Sequence, residues 1–304
     1  MTNRNSWKLG ASTCILRGWK NHTEQGFEAY SRAKIEYAEF TVPIWTGAFE
    51  KLDFYNHPEK VFEAAKSCGV TISSLHAPFS CEISFSNPDE NQRKTAVETI
   101  NRAISSAAII GIKTIVLHPS GAHYESYPER SALLSQSMKH VGEVYAHCES
   151  LGVTLAVENL TGRGVCGIPS EMIAMLSAYP NLKVCFDTNH CAHILPEDYL
   201  DALIKAGMQG RIAAVHISDY DLCEEKHRLP GDGKINWESV LSKLEELDFD
   251  GVFMYEVSKG FDREEIYTPQ MVADNFREIN PVGATLCGRP QDMAKPQKEK
   301  KENV

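Results

Sequence analysis

The sequence predicts a single-domain (β/α)8 TIM barrel, and three observations carry that reading. Eight short apolar runs alternate with helix-like segments, and strict alternation implies parallel strands joined by right-handed crossovers. Six of the runs end on a residue able to bind a metal: His76, His118, Glu158, Asp187, His216 and Glu256. Those residues recur at intervals of 42, 40, 29, 29 and 40 positions, about one strand-helix unit each. The chain therefore returns repeatedly to one place with a ligand. In a barrel of eight units that place is the C-terminal end of the strands, where functional residues gather.

Taken in order, strands are expected at 8–12, 36–41, 71–76, 114–118, 154–158, 183–187, 212–217 and 252–256, each an apolar run bounded by turn residues. Helices are expected at 24–34, 58–67, 88–110, 128–151, 169–178, 196–206, 237–247 and, after the last strand, 269–276. Pro58, Pro88, Pro128, Pro169 and Pro196 open five of these, each followed by an acidic residue or serine. Proline suits the first helical turn, where the amide hydrogen has no helical partner. An open doubly wound sheet is the structural alternative, but GASTC after Leu9 lacks the spaced glycines of a phosphate-binding loop. The barrel is expected to occupy 1–281, and the polar, lysine-rich residues 282–304 form a tail expected to be disordered.

A chain of 304 residues that is 42% hydrophobic can bury a large core. Its formal net charge of −10 disfavours a nucleic-acid partner. Nine cysteines are an odd number and form no C-x-x-C pair, which points to reduced thiols in a cytoplasmic setting. The opening MTNRNSWKLG has no apolar core of a signal peptide, and no run of about 18 apolar residues occurs. No membrane association is expected.

Each strand-end residue has an ordinary alternative role. A single histidine such as His76 or His118 is often just hydrogen-bonded, and Glu158 or Asp187 could cap the following helix. Six in register shift the balance, because clustered buried carboxylates repel one another unless a cation is present. Glu158, Asp187, His216 and Glu256 form the best four-ligand set, and three carboxylates with one imidazole suit Mn²⁺, Zn²⁺ or Co²⁺. His190, Asp219, Asp221, Glu225, His227 and Arg228 follow in the loops just beyond these strands. Loop residues of this kind are usually solvated, and the PGDG that follows reads as a tight bend before the helix at Trp237. Aromatic residues at 45–49 and 79–85 could wall a pocket.

The segments LHAPF, LHPSG, AVENLTGRG, CFDTNH, HISDYD with HRLPGDG, and YEV resemble the xylose-isomerase-like barrel superfamily over about residues 8–280. That superfamily covers sugar and sugar-phosphate isomerases and epimerases, inosose-processing enzymes and endonuclease IV. Similarity to the ketose 3-epimerases implies one divalent metal on Glu158, Asp187, His216 and Glu256, and an enediolate formed from a small sugar, sugar phosphate or polyol ketone. It implies Glu158 and Glu256 as the acid and base on opposite faces of the substrate. His190 would bind a substrate oxygen, and Arg228 a hydroxyl or phosphate. Related barrels are often homo-oligomers.

The endonuclease IV branch supplies the rival reading, a phosphodiesterase with three Zn²⁺ acting at abasic DNA sites. Its ligand motifs match at His76, His118, Glu158, Asp187, His190, His216, His227 and Glu256, with Glu225 where that branch uses aspartate. Against it stand the acidic chain and the absence of basic-aromatic segments suited to gripping DNA.

Overall fold

The computed structural model describes residues 4–16, 24–42, 54–80, 82–121, 129–161, 164–191, 194–258 and 267–280. Eight strands close into a barrel in sequence order: β1 Lys8–Ser12, β2 Tyr37–Thr41, β3 Thr71–His76, β4 Thr114–Leu117, β5 Thr154–Glu158, β6 Lys183–Asp187, β7 Ile212–Ile217 and β8 Val252–Tyr255. All pairings are parallel, and β8 pairs back with β1. The helices are α1 Glu24–Ala33, α2 Pro58–Ser67, α3 Glu90–Ile109, α4 Arg130–Leu151, α5 Pro169–Ala178, α6 Pro196–Lys205, α7 Trp237–Glu246 and α8 Pro269–Ile279. No helix among the described residues is long and apolar enough to cross a membrane. The expected tail at 282–304 and the aromatic segment at 45–49 lie outside the described residues.

Each helix presents one apolar stripe to the sheet. α3 buries Ala96, Val97, Ile100, Ala103, Ile104 and Ala107; α7 buries Val240, Leu241 and Leu244; α8 buries Val272, Ala273 and Phe276. This three-and-four spacing is the signature of a helix packed on one face. Full burial of each large side chain contributes about 1.5–3 kcal/mol. Proline opens α2, α5, α6 and α8 as expected. The helix expected to begin at Pro88 begins instead at Glu90, because the Asp89 carboxylate accepts the amides of Asn91 and Gln92 and makes Asp89 the cap. α4 begins at Arg130 and stops at Gly152, whose φ of 64° is the left-handed conformation that terminates helices.

Strand residues alternate between two cores. Ile115, Leu117, Leu155, Val157, Val184, Phe186, Val215 and Ile217 join the large core between sheet and helices. Their neighbours Val116, Ala156, Cys185 and Ala214 form a separate buried cluster inside the barrel. Three of those four are small, which leaves room above them for the side chains two residues further on. Two register shifts interrupt the regular pairing, one between β2 and β3 at Ala38/Glu39 and one between β6 and β7 at Val184/Cys185. The second sets Asp187 directly opposite His216.

Candidate functional site

Glu158, Asp187 and His216 stand one inward step above Ala156, Cys185 and Ala214, and all three are fully buried. Glu256 lies one residue past β8 with its side chain 14% exposed, so the cluster opens towards solvent there. Their ligand atoms all lie within 4.8 Å of one another. His216 Nδ1 is the hub: Glu158 Oε1 and Glu256 Oε2 each approach it to 3.1 Å, and Asp187 Oδ2 lies at 3.9 Å. The four-residue set expected from sequence is therefore assembled at one point.

His76, His118 and His190 close around the same carboxylates. Glu158 Oε2 is 3.3 Å from His76 Nε2 and 3.1 Å from His118 Nε2, and Glu158 Oε1 is 3.2 Å from His190 Nδ1. Asp187 serves two purposes. Its Oδ1 accepts the Asn189 amide and caps the short turn after β6, while its Oδ2 lies 3.3 Å from His190 Nδ1. Two trios, His76 with Glu158 and His216, and His190 with Glu225 and His227, also have ligand atoms within 4.8 Å of one another. Glu225 Oε1 is 2.7 Å from His227 Nε2 and 3.8 Å from His190 Nε2.

Backbone carbonyls orient these rings. Nδ1–H of His76 donates to Ala77 O at 2.9 Å, that of His190 to Asn159 O at 2.9 Å, and that of His227 to Glu256 O at 3.0 Å. A ring nitrogen fixed in this way leaves the other free to act as a ligand, the usual support for a metal-binding histidine. Phe79 packs over this wall, its ring centroid 4.1 Å from that of His118 and 5.0 Å from that of His76.

Burial and close contact shift these groups strongly and in opposite directions. Burial pushes Asp187 up to about 7, reinforced by Glu158 and Glu256 and opposed by His190 and His227. Burial also opposes ionisation of Glu158 and Glu256, yet the His216 imidazole and its neighbours hold both well below the ordinary range. Burial disfavours charge on His216 too, but Cys185, Glu39, Glu256 and Glu158 hold it well above its ordinary value. His227 is raised to about 9 against burial, chiefly by Glu225 and Glu256. His118 is lowered because burial outweighs its contact with Glu158.

The donor set fits a divalent ion on a further count. Glu158 Oε2 and Asp187 Oδ2 are sealed from solvent and receive no well-formed hydrogen bond among the described residues. Buried carboxylate oxygens without donors are costly unless a cation satisfies them.

Several residues that shape the site escaped the sequence reading. Glu39, near the end of β2, is fully buried with Oε1 2.8 Å from His216 Nε2. Asn159, next to Glu158, clamps Asp187: its Nδ2 donates to Asp187 O at 2.9 Å and its Oδ1 accepts the Asp187 amide at 2.8 Å. Asp219 corrects the expectation of a solvated loop. It is fully buried and accepts from Tyr220 N, Gly231 N, Ile235 N and Trp237 Nε1 at 2.8–3.2 Å. A Cβ at Gly233 would collide with Asp219 Oδ1 and Tyr220 O, which explains the second glycine of PGDG. Asp221 is a turn residue that accepts the amides of Cys223 and Glu224. Arg228 pairs by its backbone with Asp219, and its Nη1 lies 3.5 Å from Asp232 O.

Residues 27–271 match the family described as the xylose isomerase-like TIM barrel. The chain belongs to that family. An uncharacterised protein of Methanocaldococcus jannaschii is 30% identical over 187 residues, 60% of this chain and 63% of that one. A fructoselysine 3-epimerase of Shigella flexneri is 21% identical over 197 residues, 64% of this chain and 70% of that one. A probable endonuclease 4 of Acholeplasma laidlawii is 25% identical over 233 residues, 69% of this chain and 77% of that one. The chain spans less than two thirds of some curated relatives, 63% of the M. jannaschii protein and 55% of a Sinorhizobium fredii one.

Solved structures share the fold. A D-tagatose 3-epimerase-like protein superposes with a TM-score of 0.74 at 22% identity, covering 92% of this chain and 100% of that one. D-psicose 3-epimerase from Clostridium cellulolyticum H10, crystallised with D-tagatose, gives 0.68 at 16% identity, covering 91% and 98%.

Proposed function

We propose that this protein is a divalent-metal-dependent isomerase or epimerase of a small sugar, sugar phosphate or polyol ketone. The observation that carries the reading is the convergence of two glutamates, Glu158 from β5 and Glu256 from beyond β8, on one imidazole nitrogen at 3.1 Å each. A bound Mn²⁺, Zn²⁺ or Co²⁺ supplies Lewis acidity to a substrate carbonyl, which makes the neighbouring carbon-bound proton more acidic. Glu158, kept ionised by the imidazoles around it, takes that proton. Glu256, whose side chain is 14% exposed, would take a proton from solvent and deliver it to the opposite face, Glu158 would release its own proton to solvent, and the reverse reaction would exchange their roles. His190 and Arg228 bind substrate oxygens, and Phe79 with His118 walls the pocket. The epimerase names among the relatives support a sugar substrate, and the free thiols among the described cysteines support a reducing, cytoplasmic compartment.

Glu158→Gln and Glu256→Gln test the two-base chemistry. Each should lower turnover by at least about 10²-fold, the lower scale for a positioned acid or base. Full turnover by both variants on every substrate the wild type accepts would remove the mechanism.

The trio of His190, Glu225 and His227 favours a second reading, a three-zinc phosphodiesterase acting at abasic DNA sites. The endonuclease 4 relative supports it. Metal analysis separates the two: about one ion per chain supports the isomerase, and about three zincs with incision of abasic duplex supports the nuclease.

A further inference from the structure

We infer that Glu39 is a positioning residue for the metal centre, holding His216 in the one tautomer and ring orientation that present Nδ1 to the ion. The inference rests on the metal-site reading above and concerns a residue outside the clustered ligand atoms. The two ring nitrogens of His216 face different groups. Nδ1 meets Glu158 and Glu256, whereas Nε2 lies 2.8 Å from Glu39 Oε1. A proton on Nε2 donated to Glu39 leaves the Nδ1 lone pair free among the other carboxylates, the geometry in which an outer carboxylate orients a metal-binding imidazole.

The backbone is built to deliver this contact. Ala38 pairs with Ile72, so regular pairing would set Glu39 against Ser73, whose hydroxyl instead donates to Ala38 O at 3.3 Å. The register shift at this point sets Glu39 against Ser74, and the buried Ser74 hydroxyl donates to Glu39 Oε2 at 2.8 Å. Both carboxylate oxygens are thereby held, one by Ser74 and one by His216. A strand irregularity beside a site commonly re-aims a side chain. Here both register shifts of the barrel act on His216: one sets Asp187 opposite it, and the other brings Glu39 behind it. A fully buried carboxylate such as Glu39 is costly to keep unless the site uses it.

Mn²⁺ titration of the full-length wild type, Glu39→Gln and Glu39→Leu, with folding checked by circular dichroism, tests the role. Gln keeps an acceptor for Nε2–H, whereas Leu, similar in volume, removes it. Glu39→Leu should weaken Mn²⁺ binding by about 10–100-fold, with Glu39→Gln intermediate. A folded Glu39→Leu that binds within about twofold of wild type overturns the inference alone. A wild type that takes up no Mn²⁺ overturns the metal-site reading and the inference with it. If Glu39→Leu fails to fold, ¹⁵N-histidine spectra of the Zn²⁺-loaded wild type decide: His216 with a proton on Nε2 and zinc on Nδ1 supports the role, and zinc on Nε2 overturns it.

Discussion

Asp187, the last residue of β6, and Asp219, two residues past β7, are both fully buried carboxylates, yet they sit in opposite surroundings. Asp219 has four donors, three backbone amides and an indole, and it folds the loop from Tyr220 to Trp237 around itself. Asp187 leaves Oδ2 without a well-formed hydrogen bond and shares its cavity with Glu158, Glu256 and several imidazoles. Burial alone therefore does not separate a structural acid from a functional one. The donors each acid has been given do separate them.

The contrast can be broken first by deleting each carboxylate. Asp219→Ala strands four donors and should destabilise the protein by about 3–5 kcal/mol, visible as a large fall in thermal midpoint with or without metal. Asp187→Asn removes a repelled charge, so metal-free stability should stay level or rise, while Mn²⁺ affinity measured by calorimetry falls by more than about 100-fold. Similar stability losses in both variants would erase the distinction.

Metal removal sharpens the comparison on a smaller scale. Mn²⁺ at about 100 times its dissociation constant should stabilise wild type by about 2.7 kcal/mol, an increment that a chelator abolishes. Asp219→Asn should retain that increment and Asp187→Asn should lose it. The pH dependence is subtler. Asp187 is raised to about 7, so its contribution to the metal-free fold falls as pH rises from the ordinary aspartate value to about 7, and above that its penalty is constant. His227 is raised to about 9, so its stabilising contribution is complete below the ordinary histidine value and is lost as pH rises through about 9. Both effects have the same sign: through these two groups metal-free protein should lose stability as pH rises from about 4 to about 9, the lower part of that range from Asp187 and the upper part from His227, and metal-loaded protein should lose less. Urea unfolding at several pH values measures the difference.

The barrel and the gathering of the six strand-end residues were legible because strand periodicity and barrel geometry are both local rules. An apolar run shows where a strand ends, and the fold class says that its end faces the site. Glu39 was hidden because it lies two residues before the end of β2, and its inward contact with Ser74 and His216 depends on a register shift between strands. Asp219 was misjudged for a related reason. Its four donors come from residues 220–237, which a loop reading treats as solvated but which fold back over it. Asn159 stood beside Glu158 in plain view, but its reciprocal bonds to Asp187 cross from β5 to β6.

The most direct test of the central claim is solvent-proton exchange. Mn²⁺-loaded protein is incubated in deuterated water with a panel of ketoses and ketose phosphates, and deuterium is read by mass spectrometry and NMR. The metal-dependent isomerase predicts incorporation at the carbon beside the carbonyl of at least one sugar, lost in Glu158→Gln and on chelation. No exchange with any sugar, together with about three bound zincs and cleavage at abasic sites, would contradict it.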